Sequence, residues 1–221
     1  MIMYKFAIFL RKDAQPNFFR NIILSTLNNN YFDKYVLCSA FFQENKFSTS
    51  SEVISAVNST RTVNIDIYGL YRGTWNKQFN QFCSNMKNYY QNSSCSTNFY
   101  KFKPNSHAKI FIARKKGLPL ISIIGSSNLS AGAFADRTSK DKWNQECDIV
   151  IWDDSDPSSK GIIQDILENV PEQLKSFIYI ANYDQTYISS DISCLDKINS
   201  CLLYTSPSPR DWSLSRMPSS A

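Results

Sequence analysis

The residues best suited to chemistry lie in the middle of the chain, around its single histidine. His107 and Lys109 are separated by one residue at the start of an apolar strand. Because side chains alternate along a strand, we expect both on the same face. Sixteen positions after Lys109, the segment Gly125–Asn128 reads Gly-Ser-Ser-Asn. An imidazole beside ammonium, hydroxyl and amide donors is suited to attack on an anionic group and to stabilising the charge that develops.

A β-hairpin is predicted to bring these two segments together. Its arms are Ala108–Ala113 and Leu118–Ile124. The basic turn between them ends at Gly117, which supplies a positive φ. With the arms side by side, the side chains of His107, Lys109 and Asn128 are expected to lie close together.

An acidic residue completes the pattern. Glu146 opens the strand predicted over Cys147–Trp152, and Asp136 and Asp148 are nearby alternatives. Taken alone, a histidine beside a strand is more often structural, a lysine is a solvated charge, and Gly-Ser-Ser-Asn is an ordinary turn. The three patterns in this order favour a catalytic site.

The order His-x-Lys, Gly-Ser-x-Asn and an acidic strand resembles the phospholipase D-like superfamily, also called HKD. It is most similar to the nuclease branch, and there to the catalytic domain of metal-independent type II restriction endonucleases. The likeness is detailed over residues 107–152 and looser over residues 35–106. The superfamily pattern has Asp where Arg114 stands, and its interval from lysine to Gly-Ser-x-Asn is shorter. Both departures fit the nuclease branch and count against a lipase.

The resemblance implies a role for each residue of the motif. His107 attacks phosphorus and forms a phosphohistidine intermediate. Lys109 and Asn128 donate hydrogen bonds to the non-bridging oxygens. Ser126 or Ser127 adds a hydroxyl donor for the substrate. No cofactor and no metal ion is expected.

The resemblance also implies an orienting acid and a second chain. Glu146 accepts a hydrogen bond from the other ring nitrogen of His107 and so fixes its tautomer. A second histidine should protonate the leaving oxygen, whereas the sequence contains one histidine. Superfamily members with one motif per chain pair two chains about a two-fold axis. We therefore expect a homodimer with a shared active site.

The elements that must position the motif alternate between helix and strand. Helices are predicted over Phe18–Leu27, Ser50–Val57, Asn76–Tyr90 and Ile162–Phe177, the last of these divided by Pro171. Strands are predicted over Tyr35–Phe42 and Arg61–Tyr71 before the hairpin. The fold class is therefore predicted as α/β: a mixed, mostly parallel β-sheet flanked by helices, of the phospholipase D-like type, with one motif copy per chain.

Composition sets the class of protein. Apolar residues make up 43% and charged residues 19%, which is typical of a globular chain. The net charge of +5 permits a polyanionic substrate without requiring one.

Six cysteines without a Cys-x-x-Cys pair argue against a zinc site and favour free thiols in a reducing cytoplasm. The apolar run Phe6–Leu10 is too short for a signal peptide, and no stretch reaches the roughly 18 apolar residues of a membrane span. We expect a cytoplasmic protein without a membrane partner.

The end of the chain differs in composition from the rest. Residues 1–200 are predicted to form one phospholipase D-like nuclease domain, truncated at its C-terminal end. The string Cys201–Asp211 departs from the Asn-, Lys- and Ile-rich body and matches the read-through translation of a transposon-type sequencing adapter. We interpret residues 201–221 as a non-native tail and leave them out of fold and function. A genuine low-complexity tail is the alternative.

Together these features predict an endonuclease that cleaves DNA, of the restriction or defence type. Arg114 and Lys115, in the basic hairpin turn, are candidate contacts to DNA phosphates, although a run of charges is more often simply solvated. Two alternatives stay open: a lipid phosphodiesterase of the phospholipase D type, and a non-catalytic module that binds DNA or dimerises.

Overall fold

The computed structural model describes residues 3–57, 60–70, 73–102, 107–136 and 142–182. The predicted boundary at residue 200 and the tail 201–221 lie outside the described residues. The strands are β1 Tyr4–Leu10, β2 Lys34–Ser39, β3 Val63–Leu70, β4 Cys95–Phe102, β5 Ile110–Lys115, β6 Leu118–Gly125, β7 Cys147–Asp153 and β8 Ile178–Asn182. The helices are α1 Phe18–Asn28, α2 Thr49–Ala56, α3 Gly73–Tyr90, α4 Ala131–Phe134 and α5 Pro157–Glu168, followed by a 3₁₀ helix, Glu172–Phe177.

One sheet of eight strands runs through the described part of the chain, in the order β4-β3-β2-β5-β6-β7-β1-β8. The predicted α/β class, a mixed sheet flanked by helices, is confirmed. The expectation that the sheet is mostly parallel is wrong: β2–β3 and β3–β4 pair in parallel, and the other five neighbours pair antiparallel. Helices α2 and α3 connect β2 to β3 and β3 to β4, and such crossovers give parallel neighbours, whereas the β5–β6 hairpin gives an antiparallel pair.

Helices α1, α2 and α5 each begin after a residue whose side chain caps the helix. The Asn17 side chain accepts a hydrogen bond from the backbone of Arg20 at the start of α1. Helix α2 is capped by Ser48, whose hydroxyl accepts from the backbone of Ser51, so it begins one residue before the predicted start. At the C-terminal end, the helix predicted over 162–177 is two elements, because Pro171 separates α5 from the 3₁₀ helix.

The main core lies between the sheet and the helices. Helix α1 contacts α2, α4 and α5, and its buried apolar residues are Phe18, Phe19, Ile22, Ile23 and Leu27. A smaller cluster, Val36, Cys38, Tyr68 and Ile112, lies apart from this core. Along β5, Phe111 and Ala113 belong to the main core, whereas Ile110 and Ile112 belong to the smaller cluster. The alternation of faces that the sequence predicts for this strand is therefore present.

The β5–β6 hairpin forms at the predicted place, but its turn is shorter than predicted, because Arg114 and Lys115 belong to β5. Lys116 and Gly117 both have positive φ, 49° and 83°. Two such residues in a row form the tight turn that matches the twist of hairpin strands. The turn lies at one end of the hairpin and His107 lies at the other, so the length of the arms separates them. Basic residues next to the turn are therefore far from the histidine.

Candidate active site

Four strand ends meet at one edge of the sheet. In the register, Cys38 pairs with Ile110, Ile110 with Ile124, and Gly125 with Asp148. The end of β2, the start of β5, the end of β6 and the start of β7 are consequently neighbours. A backbone hydrogen bond from Gly125 N to Lys109 O, 3.3 Å, extends the β5–β6 pairing towards His107. The sheet thus gathers the three segments that carry the sequence motif.

His107 is exposed at this edge, three positions before the first residue of β5. Its ring lies 6.1 Å from the ring of Phe41, at an interplanar angle of 75°. The ammonium of Lys109 donates a hydrogen bond to the carbonyl oxygen of His107, 2.7 Å. The end of the lysine side chain therefore lies beside the backbone of the histidine, while the imidazole faces solvent and an aromatic neighbour.

Asn128 is held from β2. The hydroxyl of Ser39 donates to Asn128 Oδ1, 3.4 Å, and accepts from the backbone N of Leu129, 3.0 Å. The same hydroxyl contacts the backbone O of Phe41, 2.9 Å. Since Oδ1 faces Ser39, the Nδ2 hydrogens are the part of Asn128 that can donate to a substrate oxygen.

Glu146 is bound by two neighbouring side chains. The hydroxyl of Ser126 donates to Glu146 Oε2, and Asn144 Nδ2 donates to Glu146 Oε1, 3.0 Å. The backbone N of Cys147 donates back to the Ser126 hydroxyl, 3.0 Å. The structure therefore brings Glu146 and Ser126 together. The predicted contact of Glu146 with the ring of His107 stays a prediction.

Ser127 faces away from the exposed edge. It is 1% exposed, and both its backbone N, 3.2 Å, and its hydroxyl, 2.6 Å, donate to the carboxylate of Asp148. Asp148 is 4% exposed. Burial raises the pKa of Asp148 to about 6, against the lowering effect of the two hydrogen bonds from Ser127. Of the two predicted serine donors, Ser126 lies at the site and Ser127 anchors its loop.

Arg114 and Lys115 lie at the other end of β5. Arg114 Nη1 donates to the backbone O of Gly117, 2.7 Å, and Lys115 Nζ lies 3.9 Å from Asp33 Oδ2. Seven residues of extended chain, about 23 Å, separate Arg114 from His107. These two residues are not brought to the histidine, and a contact of theirs with DNA phosphates stays a prediction.

Sequence reasoning overlooked residues that shape this edge. Ser39 is a polar residue inside an apolar strand, and that mismatch was the available signal for it. Arg11 had no such signal: its buried guanidinium donates to the carbonyls of Asp13, Ala14, Gly132 and Ala133. Its backbone N donates to Glu146 O, 2.8 Å. Burial lowers the pKa of Arg11, partly offset by the charges of Glu146 and Asp148.

No group of three or more His, Cys, Asp or Glu side chains in the described part of the chain is arranged to hold a metal ion. No helix within it has the length and apolar character needed to cross a membrane. The expected independence from metal stays a prediction.

Comparison with known proteins identifies a family. A family model described as "Cardiolipin synthase, PLD-like domain" matches residues 23–170. No curated protein matches the chain.

The solved structures that match this chain do so at low sequence identity. A phosphatidylserine synthase from Haemophilus influenzae is 11% identical, with 91% of this chain and 46% of that chain covered and a TM-score of 0.48. A polyphosphate kinase from Porphyromonas gingivalis is 12% identical, with coverage of 76% and 26% and a TM-score of 0.45. The yeast tyrosyl-DNA phosphodiesterase is 11% identical, with coverage of 66% and 31% and a TM-score of 0.36. The chain spans less than half the length of each of these three proteins.

Proposed function

Because this chain belongs to the family of phospholipase D-like (PLD-like) domains, we propose that it is a phosphodiesterase that cleaves DNA through a phosphohistidine formed on His107, without a metal ion. One observation carries the proposal. The strand ends that bear His107, Asn128 and Glu146 meet at one edge of the sheet, with the imidazole exposed there.

The first step is attack by the imidazole of His107 on phosphorus. The new N–P bond forms as the bond from phosphorus to the leaving oxygen breaks. The ammonium of Lys109, held beside the backbone of His107, and the amide of Asn128 stabilise the charge on the non-bridging oxygens. Loss of one such donor typically slows an enzyme by about 10²–10³-fold.

The leaving oxygen needs a proton, which a second imidazole can supply. The sequence has one histidine, so we infer a homodimer in which His107 of a second copy is the general acid. In the second step that imidazole, now neutral, takes a proton from water. The water oxygen attacks phosphorus, the N–P bond breaks, and a phosphate monoester and free His107 are released.

Glu146 supports this chemistry by positioning. Its carboxylate accepts from Ser126 and from Asn144, which fixes the hydroxyl of Ser126 at the exposed edge. We expect the same carboxylate to approach an imidazole when the dimer and substrate are present. Apo contacts of catalytic groups often tighten only in the complex.

The choice of DNA as substrate is supported by charge and by the motif. The chain carries a net charge of +5. Lys12, just after β1, and Lys109, just before β5, lie at the sheet edge that bears His107. The single motif with Arg114 in place of an aspartate resembles the nuclease branch. We propose a cytoplasmic endonuclease of a restriction or defence system.

Plasmid DNA incubated in excess EDTA tests the proposal. The parent protein should nick or linearise the plasmid, whereas His107→Ala and the near-isosteric His107→Asn should not. Cleavage that persists in both variants, or that requires added divalent metal, would overturn the proposed mechanism. DNA binding by the parent without any cleavage would instead support a non-catalytic module.

A lipid phosphodiesterase is the second candidate, and it is favoured by the matching family model, which describes a cardiolipin synthase domain. The same three proteins should be incubated with phosphatidylglycerol in detergent micelles. Release of phosphatidic acid or formation of a dimeric lipid, dependent on His107 and without DNA cleavage, would establish this function in place of the nuclease.

A further inference from the structure

Beside Ser126 and Glu146 lies a cleft that the reaction above does not use. We propose that this cleft binds one nucleobase next to the scissile phosphate, which makes an unpaired or flipped nucleotide the preferred substrate element. The inference deepens the proposed function and rests on it.

The cleft is continuous with the catalytic edge. Its volume is about 390 Å³, and its lining consists of Leu10, Arg11, Lys12, Ser126, Gln145, Glu146, Cys147 and Phe177. Ser126 and Glu146 belong to both the cleft and the candidate active site. The other walls come from the end of β1, the start of β7 and the end of the 3₁₀ helix. A base bound in the cleft and a phosphate bound at the sheet edge can therefore belong to the same nucleotide or to neighbouring ones.

The lining suits the chemistry of a base. Phe177 presents a half-buried ring, and a ring of this kind stacks on any nucleobase. Gln145 contributes an amide that can both donate to and accept from the edge of a base. Leu10 contributes an apolar side chain. A volume of 390 Å³ lies within the roughly 300–1,000 Å³ of small-molecule sites.

The charges of the cleft favour an anionic ligand. The guanidinium of Arg11 is committed to backbone carbonyls, and both carboxylate oxygens of Glu146 accept hydrogen bonds. Lys12 is exposed, with Nζ 5.9 Å from the centroid of the Phe177 ring. An ammonium beside an aromatic ring is the combination that binds a nucleotide, since the cation meets the phosphate while the ring meets the base.

Binding is measured separately from cleavage, in the His107→Ala background. The probe is a short single-stranded oligonucleotide with one 2-aminopurine, whose fluorescence falls when the base stacks. We expect saturable quenching, and about 10-fold weaker binding with little quenching after Phe177→Leu. Lys12→Gln should weaken binding and reduce its salt dependence.

Two matched controls lie outside the cleft. Tyr179→Leu removes an aromatic side chain that is 58% exposed on β8. Lys175→Gln removes one positive charge from the 3₁₀ helix, where Lys175 pairs with Glu172. Neither control should change quenching or affinity at fixed ionic strength.

The possible outcomes separate this inference from the proposed nuclease. Unchanged binding after Phe177→Leu, or no oligonucleotide binding by a protein that cleaves plasmid, overturns the cleft proposal and leaves the nuclease intact. Phe177-dependent quenching without cleavage of either plasmid or single-stranded DNA supports base binding in the cleft and overturns the nuclease. Phe177-dependent binding to phosphatidylglycerol vesicles with no quenching of the oligonucleotide overturns both in favour of a lipid site.

Discussion

The hydroxyl of Ser39 donates to Oδ1 of Asn128 across 3.4 Å. The same oxygen accepts from the backbone N of Leu129, and its single proton is shared between Asn128 Oδ1 and the nearer backbone O of Phe41, 2.9 Å. Phe41 is the ring that packs against His107. One buried hydroxyl thus joins the loop that contacts the proposed nucleophile to the loop that carries the proposed amide donor.

Ser39→Ala should therefore lower kcat markedly while it lowers the free energy of unfolding only modestly. A buried hydrogen-bond donor of this kind typically contributes about 1 kcal/mol to the free energy of unfolding. If Asn128 is displaced, kcat should fall by about 10-fold or more while KM changes little. The measurements are plasmid cleavage kinetics and urea unfolding.

Ser122→Ala is the matched control for Ser39→Ala. Ser122 is also fully buried, and its hydroxyl has no hydrogen-bond partner among the described residues. Removing it should leave activity unchanged and stability unchanged or slightly increased. Equal effects of the two substitutions on kcat would contradict a positioning role for Ser39.

Gly125→Ala should destabilise the loop of the motif. A Cβ at Gly125 overlaps the carboxylate of Asp148 and lies 2.7 Å from the backbone O of Cys147. Relief requires a backbone shift, for which about 1–3 kcal/mol is typical. The control is Gly161→Ala in α5, where a Cβ meets nothing within 4 Å, and where alanine should stabilise the helix by about 0.5–1 kcal/mol. Thermal unfolding of both variants measures the contrast.

Asp148 should make stability depend on pH. Its pKa is about 6 in the folded protein against 3.8 for an unperturbed aspartate, so the folded state binds the proton more tightly than the unfolded state. The contribution of Asp148 to the free energy of unfolding is consequently most favourable below pH 3.8 and declines as the pH rises to about 6. Above that it stays at a constant, unfavourable level of roughly 1–3 kcal/mol.

Asp148→Asn isolates this effect. The amide can accept from the backbone N of Ser127 and donate to its hydroxyl, so both hydrogen bonds can be retained. The stability of the variant relative to the parent should increase from pH 4 to pH 6 and then level off, because only the parent titrates. Urea unfolding between pH 4 and pH 8 gives this difference. A difference that is flat over the whole range would show that the carboxylate is not desolvated.

Mixing chains tests the shared active site. If each site needs His107 from two copies, a dimer of one parent chain and one His107→Ala chain is inactive. After exchange at equal concentrations, about a quarter of the dimers carry two histidines, so activity per parent chain should fall by about half. Activity per parent chain that does not change on mixing would show that one copy of His107 suffices.

Local sequence patterns were enough to identify part of this fold. The helical spacing of Phe19, Ile22 and Leu27 predicted α1, because a 3.6-residue period arises within the segment itself. The turn ending at Gly117 predicted the hairpin for the same reason, since positive φ is a property of the residue. In contrast, β1 went unrecognised, and its partner strand β7 is more than 130 positions away. The direction of strand pairing was also misjudged, since it depends on connections that carry no local pattern.

The sequence by itself determined the chemistry available at the site: one imidazole, an adjacent ammonium, a Gly-Ser-Ser-Asn turn and an acid, in an order typical of one family. Only the tertiary structure decided which residues assemble around them. It added Ser39 and Phe41 from β2 and its following loop, and it turned Ser127 inward to Asp148. It also placed Arg114 and Lys115 at the far end of β5. The physical reason is that the register between strands distant in sequence decides which residues are neighbours across a sheet. Within one strand, residues only a few positions apart in sequence can lie far apart, because the chain is extended.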